Sequence, residues 1–305
     1  MKATVAGAPV SFGVFELTPE GAETISPDDL LATLAESDYR GVDLGPSGFF
    51  GQGVRLRERL RSHGLELAGG WVQLPFSDDE AFEAALPELH EALRAFSDAA
   101  QDGPDRLPLP TLADGGSALR QGAPGRGDEV DPLAEAAWGR LLANTERAAD
   151  IVRAAGFEPT FHHHAGTFVE SPDEIDRFLA NVDVDLTLDT GHLFIAGGDP
   201  LDAVHRWGDR INHLHLKDVD LGELTRVLSA GGGMREVWSS GSFVAFGEGD
   251  IDLAGVMDAV DAHGFDGWIV VEQDVLNGPD VSLSEFRAAR GADQIRNREA
   301  LRPWA

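Results

Sequence analysis

Four short apolar runs in this chain end in side chains that bind cations or move protons. They are FHHHAGT at 161–167, LDTGH at 188–192, HLHLKD at 213–218 and VVEQD at 270–274. Imidazoles and carboxylates gathered in this way form the mixed nitrogen and oxygen donor sets that hold a divalent ion; Mn2+ or Co2+ suits such a set best, and Mg2+ or Zn2+ is compatible with it. The chain has no cysteine, so thiolate ligands, thiol nucleophiles and disulfides are excluded. The chemistry expected is that of a metal-dependent enzyme.

Each run has a chemical reading and a plainer one. Asp189 closes the alternation Leu186-Thr187-Leu188, where it could bind a cation or cap the following helix, with His192 three residues on. In His213-Leu214-His215 the two-residue period of a strand puts both imidazoles on one face and carries Lys217 onto it. A polar stripe of that kind is costly to bury without a partner. His215, nearer the strand end, is the expected ligand, with His213 deeper. By the same rule His162 and His164 share a face and His163 points away. Glu272 closes the continuous apolar run Ile269-Val270-Val271, typical of a strand buried on both faces, and there an ionised carboxylate needs a cation or several donors. Glu170 follows on a loop that could return to the site, or it could be a solvated residue ahead of the Ser171 cap.

Something must bring these four runs to one place. Short apolar runs alternate with amphipathic segments along the whole chain, the pattern of βα units around a parallel sheet. Eight strands are expected, at Ala8–Gly13, Gly41–Gly45, Leu65–Leu74, Leu107–Ala113, Pro159–His164, Val184–Asp189, Ile211–Lys217 and Trp268–Gln273. Ser26-Pro27 and Ser171-Pro172-Asp173-Glu174 read as helix starts, and Gly64, Gly156 and Gly264 as left-handed helix ends. The fold class is therefore α/β, a TIM (β/α)8 barrel, whose strand ends converge on one mouth. The barrel is expected to occupy residues 1–275, with 276–305 a helical extension packed on it. Residues 114–131 and 219–250 break the rhythm; the second holds Gly231-Gly232-Gly233, Arg235 and Trp238, and either segment could close over a substrate or be an ordinary surface loop.

Composition narrows the partners. A formal charge of −29 over 305 residues repels phosphate backbones and anionic lipid, so nucleic acid and membrane are excluded as partners. No apolar run is long enough to span a bilayer, the N-terminus has no signal-like pattern, and a cytoplasmic chain is expected. Its lysines are Lys2 and Lys217 alone. Phe12, Phe15 and Trp71 near the strand ends would offer a ring a flat face or could equally be core; a homo-oligomer is compatible with all of this.

At APVSFG (8–13), GVDLG (41–45), HHHAGTFVE (162–170), LDTGH, HLHLKDV and GWIVVEQD (267–274) the chain resembles the xylose-isomerase-like barrels of sugar isomerases and epimerases, and within them the inosose dehydratase group. The resemblance covers most of the barrel and implies a metal held by Asp189, His215 and Glu272, with His164 as a fourth ligand. The related ketose epimerases use two glutamates to shuttle the proton. One of them aligns with His164 here, so the symmetric carboxylate pair is lost; a further glutamate that contacts substrate aligns with Glu170. Lys217 stands where those epimerases have no lysine. The implied activity is removal of water from a keto-polyol such as 2-keto-myo-inositol, and the alternative is isomerisation or epimerisation of a ketose through an enediolate. A barrel that binds sugar without turnover is a third class. For a dehydratase, Glu170 or Glu272 would take the proton and Lys217 or His192 would orient or protonate the leaving oxygen. His162, His213, Trp71 and Arg235 would contact the substrate.

Overall fold

A computed structural model describes residues 3–15, 18, 23–101, 103–277 and 281–305. Lys2 lies outside them. Eight parallel strands close into a barrel: β1 (Thr4–Gly7), β2 (Gly41–Asp43), β3 (Glu66–Leu74), β4 (Leu109–Asp114), β5 (Thr160–His162), β6 (Asp185–Asp189), β7 (Ile211–Leu216) and, last in the chain, β10 (Trp268–Val271). A separate antiparallel pair, β8 (Asp218–Val219) and β9 (Phe243–Val244), follows the seventh barrel strand. Helices link successive barrel strands.

The floor of the barrel shows how the sequence fills it. Trp268 is fully buried, and its neighbours Ala6, Ala68 and Gly41 are small enough to admit the indole. A Cβ on Gly41 would stand 2.6 Å from Trp268 Cζ3, so this glycine is required by close approach. Truncating such a buried indole to Ala ordinarily costs roughly 3–5 kcal/mol.

The helix punctuation is as expected. Ser26 and Ser171 cap their helices, the second in a reciprocal capping box with Glu174. Gly64, Gly156 and Gly264 take φ of 67°, 91° and 75°.

The first strand differs from expectation. Ala8–Gly13 is not a strand: Pro9–Phe12 forms a 3-10 helix, and β1 is the preceding Thr4–Gly7. Proline has no amide hydrogen for a central ladder and suits the first turn of a helix, so the strand ends before it. Phe12 is consequently in the core rather than facing a ligand. The other expected strands are present, several shorter by a few residues. Past 276 a single helix, Leu283–Ala300, packs on the barrel, where Tyr39 Oη donates to Gln294 Oε1 at 2.9 Å and Asn297 Oδ1 accepts from the Phe246 amide at 2.8 Å. No described helix is long and apolar enough to cross a membrane.

Candidate active site

Strand register assembles the site. Asp189 pairs with His215 across β6 and β7, and His215 pairs with Val270 across β7 and β10. One step past β10, the Glu272 amide donates to the Leu216 carbonyl at 3.0 Å, which holds Glu272 at the same level. Three of the four motifs therefore meet at one rim because their strands run in parallel register. The capping reading of Asp189 is realised with one carboxylate oxygen. Its Oδ1 accepts the His192 amide at 2.9 Å and caps the helix Thr190–Ile195, while its Oδ2 faces the site.

Lys217 sits at the centre. Its ammonium contacts Asp189 Oδ2, lies 2.5 Å from Glu272 Oε2 and 3.4 Å from Asp274 Oδ1, and is 1% exposed. His215 Nδ1 is 3.0 Å from Glu272 Oε2 and 3.7 Å from Asp189 Oδ2, and His162 Nε2 is 3.3 Å from Asp189 Oδ2. Burial opposes ionisation of Asp189 and Glu272, but Lys217 with His192 and His162 beside the first, and His215 with Lys217 beside the second, hold both carboxyls below the usual range. Burial would likewise neutralise Lys217 and His215, and the surrounding carboxylates outweigh it and keep both raised. Asp274 is different: burial dominates, and its pKa is pushed up to about 7.

Beside this group lies a second one. His192 Nε2 is 3.1 Å from Asp274 Oδ2, and the His164 and His192 rings stand 3.5 Å apart. His164 Nδ1 is tied to the Ala165 carbonyl at 2.8 Å, and burial first, then the neighbouring cationic groups, drives both rings well below the ordinary histidine range. Trp71 packs edge-on against His162 and His164, with centroids 5.3 and 5.2 Å away. All of these groups line a cavity of about 680 Å³, whose wall also carries Phe15, Arg235 and Trp238.

Of the residues expected from sequence, Lys217, His192, Glu272, His215, His164, His162, Trp71 and Arg235 line that cavity, and Asp189 lies just behind them. Three expectations require correction. His164 does not join Asp189; its companions are His192 and Asp274, and His162 stands with Asp189 and His215 instead. The reason is that β5 ends at His162, so the strand ladder no longer fixes His164 against Asp189. Glu170 does not face the cavity. Its Oε1 accepts from the Gly127 amide at 2.6 Å and its Oε2 from the Gly166 and Gly125 amides at 2.6 and 3.3 Å, so it pins segment 114–131 against the loop after β5. His213 is buried deeper in the barrel, near Asp43 and His215, and does not line the cavity. His163 points away, as alternation predicts, and its Nε2 accepts from the Asp189 amide at 3.1 Å. Asp218 turns aside to accept from the Gly247 and Gly249 amides at 2.9 and 3.1 Å.

Sequence reasoning missed Asp274, Asp114 and Asp43 as cavity groups. The signal was present for the first: Glu272 and Asp274 are two apart after a strand and share a face. Both irregular segments supply wall. Gly115, Gln121 and Gly122 come from 114–131, and Gly233, Arg235 and Trp238 from the insertion that carries the helices Leu221–Ser229 and Met234–Ser240.

The donor set fits a divalent cation. Asp189 Oδ2, Glu272 Oε2, His215 and His162 converge from separate strands, are buried, and offer two carboxylates with two imidazoles. Buried ring nitrogens without a partner, His162 Nδ1 and His215 Nε2 among them, mark a site with unused donor capacity.

Comparison with known proteins agrees with this geometry. The family model described as xylose isomerase-like TIM barrel matches residues 31–297. An inosose dehydratase from Geobacillus kaustophilus is 31% identical over 271 residues, covering 87% of this chain and 85% of that protein. One from Lacticaseibacillus casei is 29% identical over 265 residues, 83% of this chain and 84% of the relative. Among solved structures, a D-psicose 3-epimerase with D-tagatose from Clostridium cellulolyticum superposes with a TM-score of 0.69 at 14% identity, covering 99% of both chains. A probable 3-DHS dehydratase from Bacillus anthracis superposes at 0.66 with 15% identity, covering 94% of this chain and 98% of that one. At such identities the solved structures speak to the fold alone. The closed eight-stranded barrel, the rim of histidines and carboxylates and the match over 31–297 together make this chain a member of the xylose isomerase-like TIM barrel family.

Proposed function

We propose that the protein is a metal-dependent carbon–oxygen lyase that removes water from a keto-polyol, 2-keto-myo-inositol or a close analogue, in the cytoplasm. The observation that carries this reading is the asymmetry of the site. The Asp189 and Glu272 carboxylates meet at Lys217, and beside them the His192 imidazole pairs with Asp274, so unlike groups adjoin where a symmetric carboxylate pair would stand. Epimerisation needs two groups that remove and return a proton on opposite faces, whereas dehydration needs a base at one carbon and an acid at the next. The inosose dehydratase relatives, at 27–31% identity, point the same way.

Asp189, Glu272, His215 and His162 would hold the ion, which would supply a Lewis acid to polarise the substrate ketone. Glu272 would take the proton from the carbon beside the ketone. The hydroxyl on the following carbon then departs with its bonding electrons, takes a proton from Lys217 while His192 orients it, and leaves as water. The carbon–carbon double bond so formed bears a hydroxyl, and this enol ketonises to a dicarbonyl. Asp274 accepts a hydrogen bond from His192 and fixes the ring, as carboxylates do for catalytic imidazoles. Trp71 supplies the apolar wall for the ring, and Arg235 stands at the rim.

The test is incubation of the Mn2+-loaded protein with 2-keto-myo-inositol while following the ultraviolet absorbance of an enolised dione. Metal-dependent growth of that band is expected. If solvent hydrogen exchange or an epimer appears across a ketose panel with no dione, the reaction is epimerisation and the lyase reading is wrong.

A further inference from the structure

We infer that Lys217 is a built-in cation that competes with the divalent ion for the Asp189–Glu272 pair, and that metal entry moves its ammonium across to Asp274. This rests on the metal reading given above and adds to it a control on when the site accepts metal.

The argument is geometric. The two oxygens that a metal held by Asp189 and Glu272 would need, Oδ2 and Oε2, are the two that Lys217 Nζ contacts, and His215 Nδ1 faces the same pair. An ammonium and a divalent ion seated on the same two oxygens repel one another, and in a buried site that repulsion is poorly screened. A lysine stem has four rotatable methylenes, so the head group can move while the backbone stays. The backbone here is fastened, because the Lys217 amide donates to Thr190 Oγ1 at 2.8 Å and Thr190 Oγ1 donates to the Lys217 carbonyl at 2.7 Å. Space for the stem comes from Gly191. A Cβ there would lie 2.7 Å from Lys217 Cβ and 2.9 Å from Cδ, so LDTGH needs its glycine for the lysine of HLHLKD. The alternative seat is already formed: Asp274 Oδ1 is 3.4 Å from Nζ and lines the cavity. In the metal-free protein Lys217 neutralises the carboxylates; in the metal-bound protein it faces the substrate beside His192.

Two measurements test the exchange. Mn2+ binding followed by electron paramagnetic resonance should be tighter in Lys217→Met than in wild type by roughly ten-fold or more, because a ligand's apparent affinity rises when its competitor is removed. Equal or weaker binding by the variant overturns the exchange but leaves the metal reading intact, while failure of both proteins to bind Mn2+ overturns the two together. The second measurement uses wild type alone, so it does not depend on the variant folding. The chain has two lysines, Lys2 and Lys217. With 15Nζ-labelled lysine, the Lys217 resonance, identified by the slow solvent exchange of a buried ammonium, should shift during a Zn2+ titration with the same midpoint as calorimetric Zn2+ binding. A Lys217 resonance that stays still while Zn2+ binds overturns the proposal.

Discussion

Two buried charge networks lie under the same mouth, and they are used differently. One joins Lys217, Glu272, Asp274 and His192 on the cavity wall with Asp189 just behind it. The other joins Arg120 of segment 114–131 to Glu174 and Glu170. Arg120 is fully buried, pairs with Glu174 at 2.8 Å and donates to the Thr167 and Asp131 carbonyls at 2.8 and 3.0 Å. Glu170 takes three backbone amides. In the second network one ion pair, Arg120–Glu174, is surrounded by bonds to the main chain that hold a wall in place. In the first the charges meet one another and leave ring nitrogens such as His192 Nδ1 without a partner. Burial of charge alone therefore does not identify a catalytic group; what its hydrogen bonds are spent on does.

That contrast can be broken from either side. The largest effect is expected for His192→Asn, which should lower kcat/KM for dehydration by roughly 10²- to 10⁴-fold, the usual worth of a positioned acid or base. The thermal midpoint should stay near that of wild type, and parallel loss of both would place His192 with the structural network. Arg120→Met should do the reverse. It leaves Glu174 buried without its cation and should destabilise the fold by roughly 3–5 kcal/mol in urea titrations. Turnover per folded molecule should be far less affected, and a variant of wild-type stability but low kcat would refute the division.

The smallest effect concerns Asp114, which lies between the networks. Its carboxyl is 2% exposed and accepts from the Gly116 amide at 2.6 Å. Burial raises its pKa from 3.8 to about 6, against the Gly116 and Phe168 amides and Arg120. The folded state thus holds this proton more tightly than the unfolded chain does. Its contribution to stability is fully present below the unfolded value and is lost as pH rises from about 4 to about 6. Asp114→Asn should remove that decline, so the variant should gain on wild type between pH 4 and pH 7 in urea midpoints. A pH-independent difference between the two would show that Asp114 ionises as freely in the folded protein as outside it.

Much of the barrel was legible because its signals are local. Strand alternation, proline and serine at helix starts and glycine at helix ends act within a few residues, and LDTGH and HLHLKD carry their function on strand ends that periodicity marks. The misplaced first strand shows the limit: APVSFG is apolar enough for a strand, and Pro9 was the residue that argued against it. Glu170 shows another, since nothing in its neighbourhood tells that glycines 125 and 127, more than forty positions earlier, would donate to it.

The sequence by itself determined the kind of molecule: a parallel α/β barrel of the xylose isomerase-like family, strongly acidic, with imidazoles and carboxylates at the ends of particular strands. Only the tertiary structure decided which of those groups touch. It set His162 rather than His164 beside Asp189, joined His192 to Asp274, turned Glu170 to the backbone and put Lys217 between two carboxylates. The physical reason is that periodicity assigns a side chain to a face, whereas contact between strands depends on register and on the point where each strand ends, and both are set by the closure of the whole barrel.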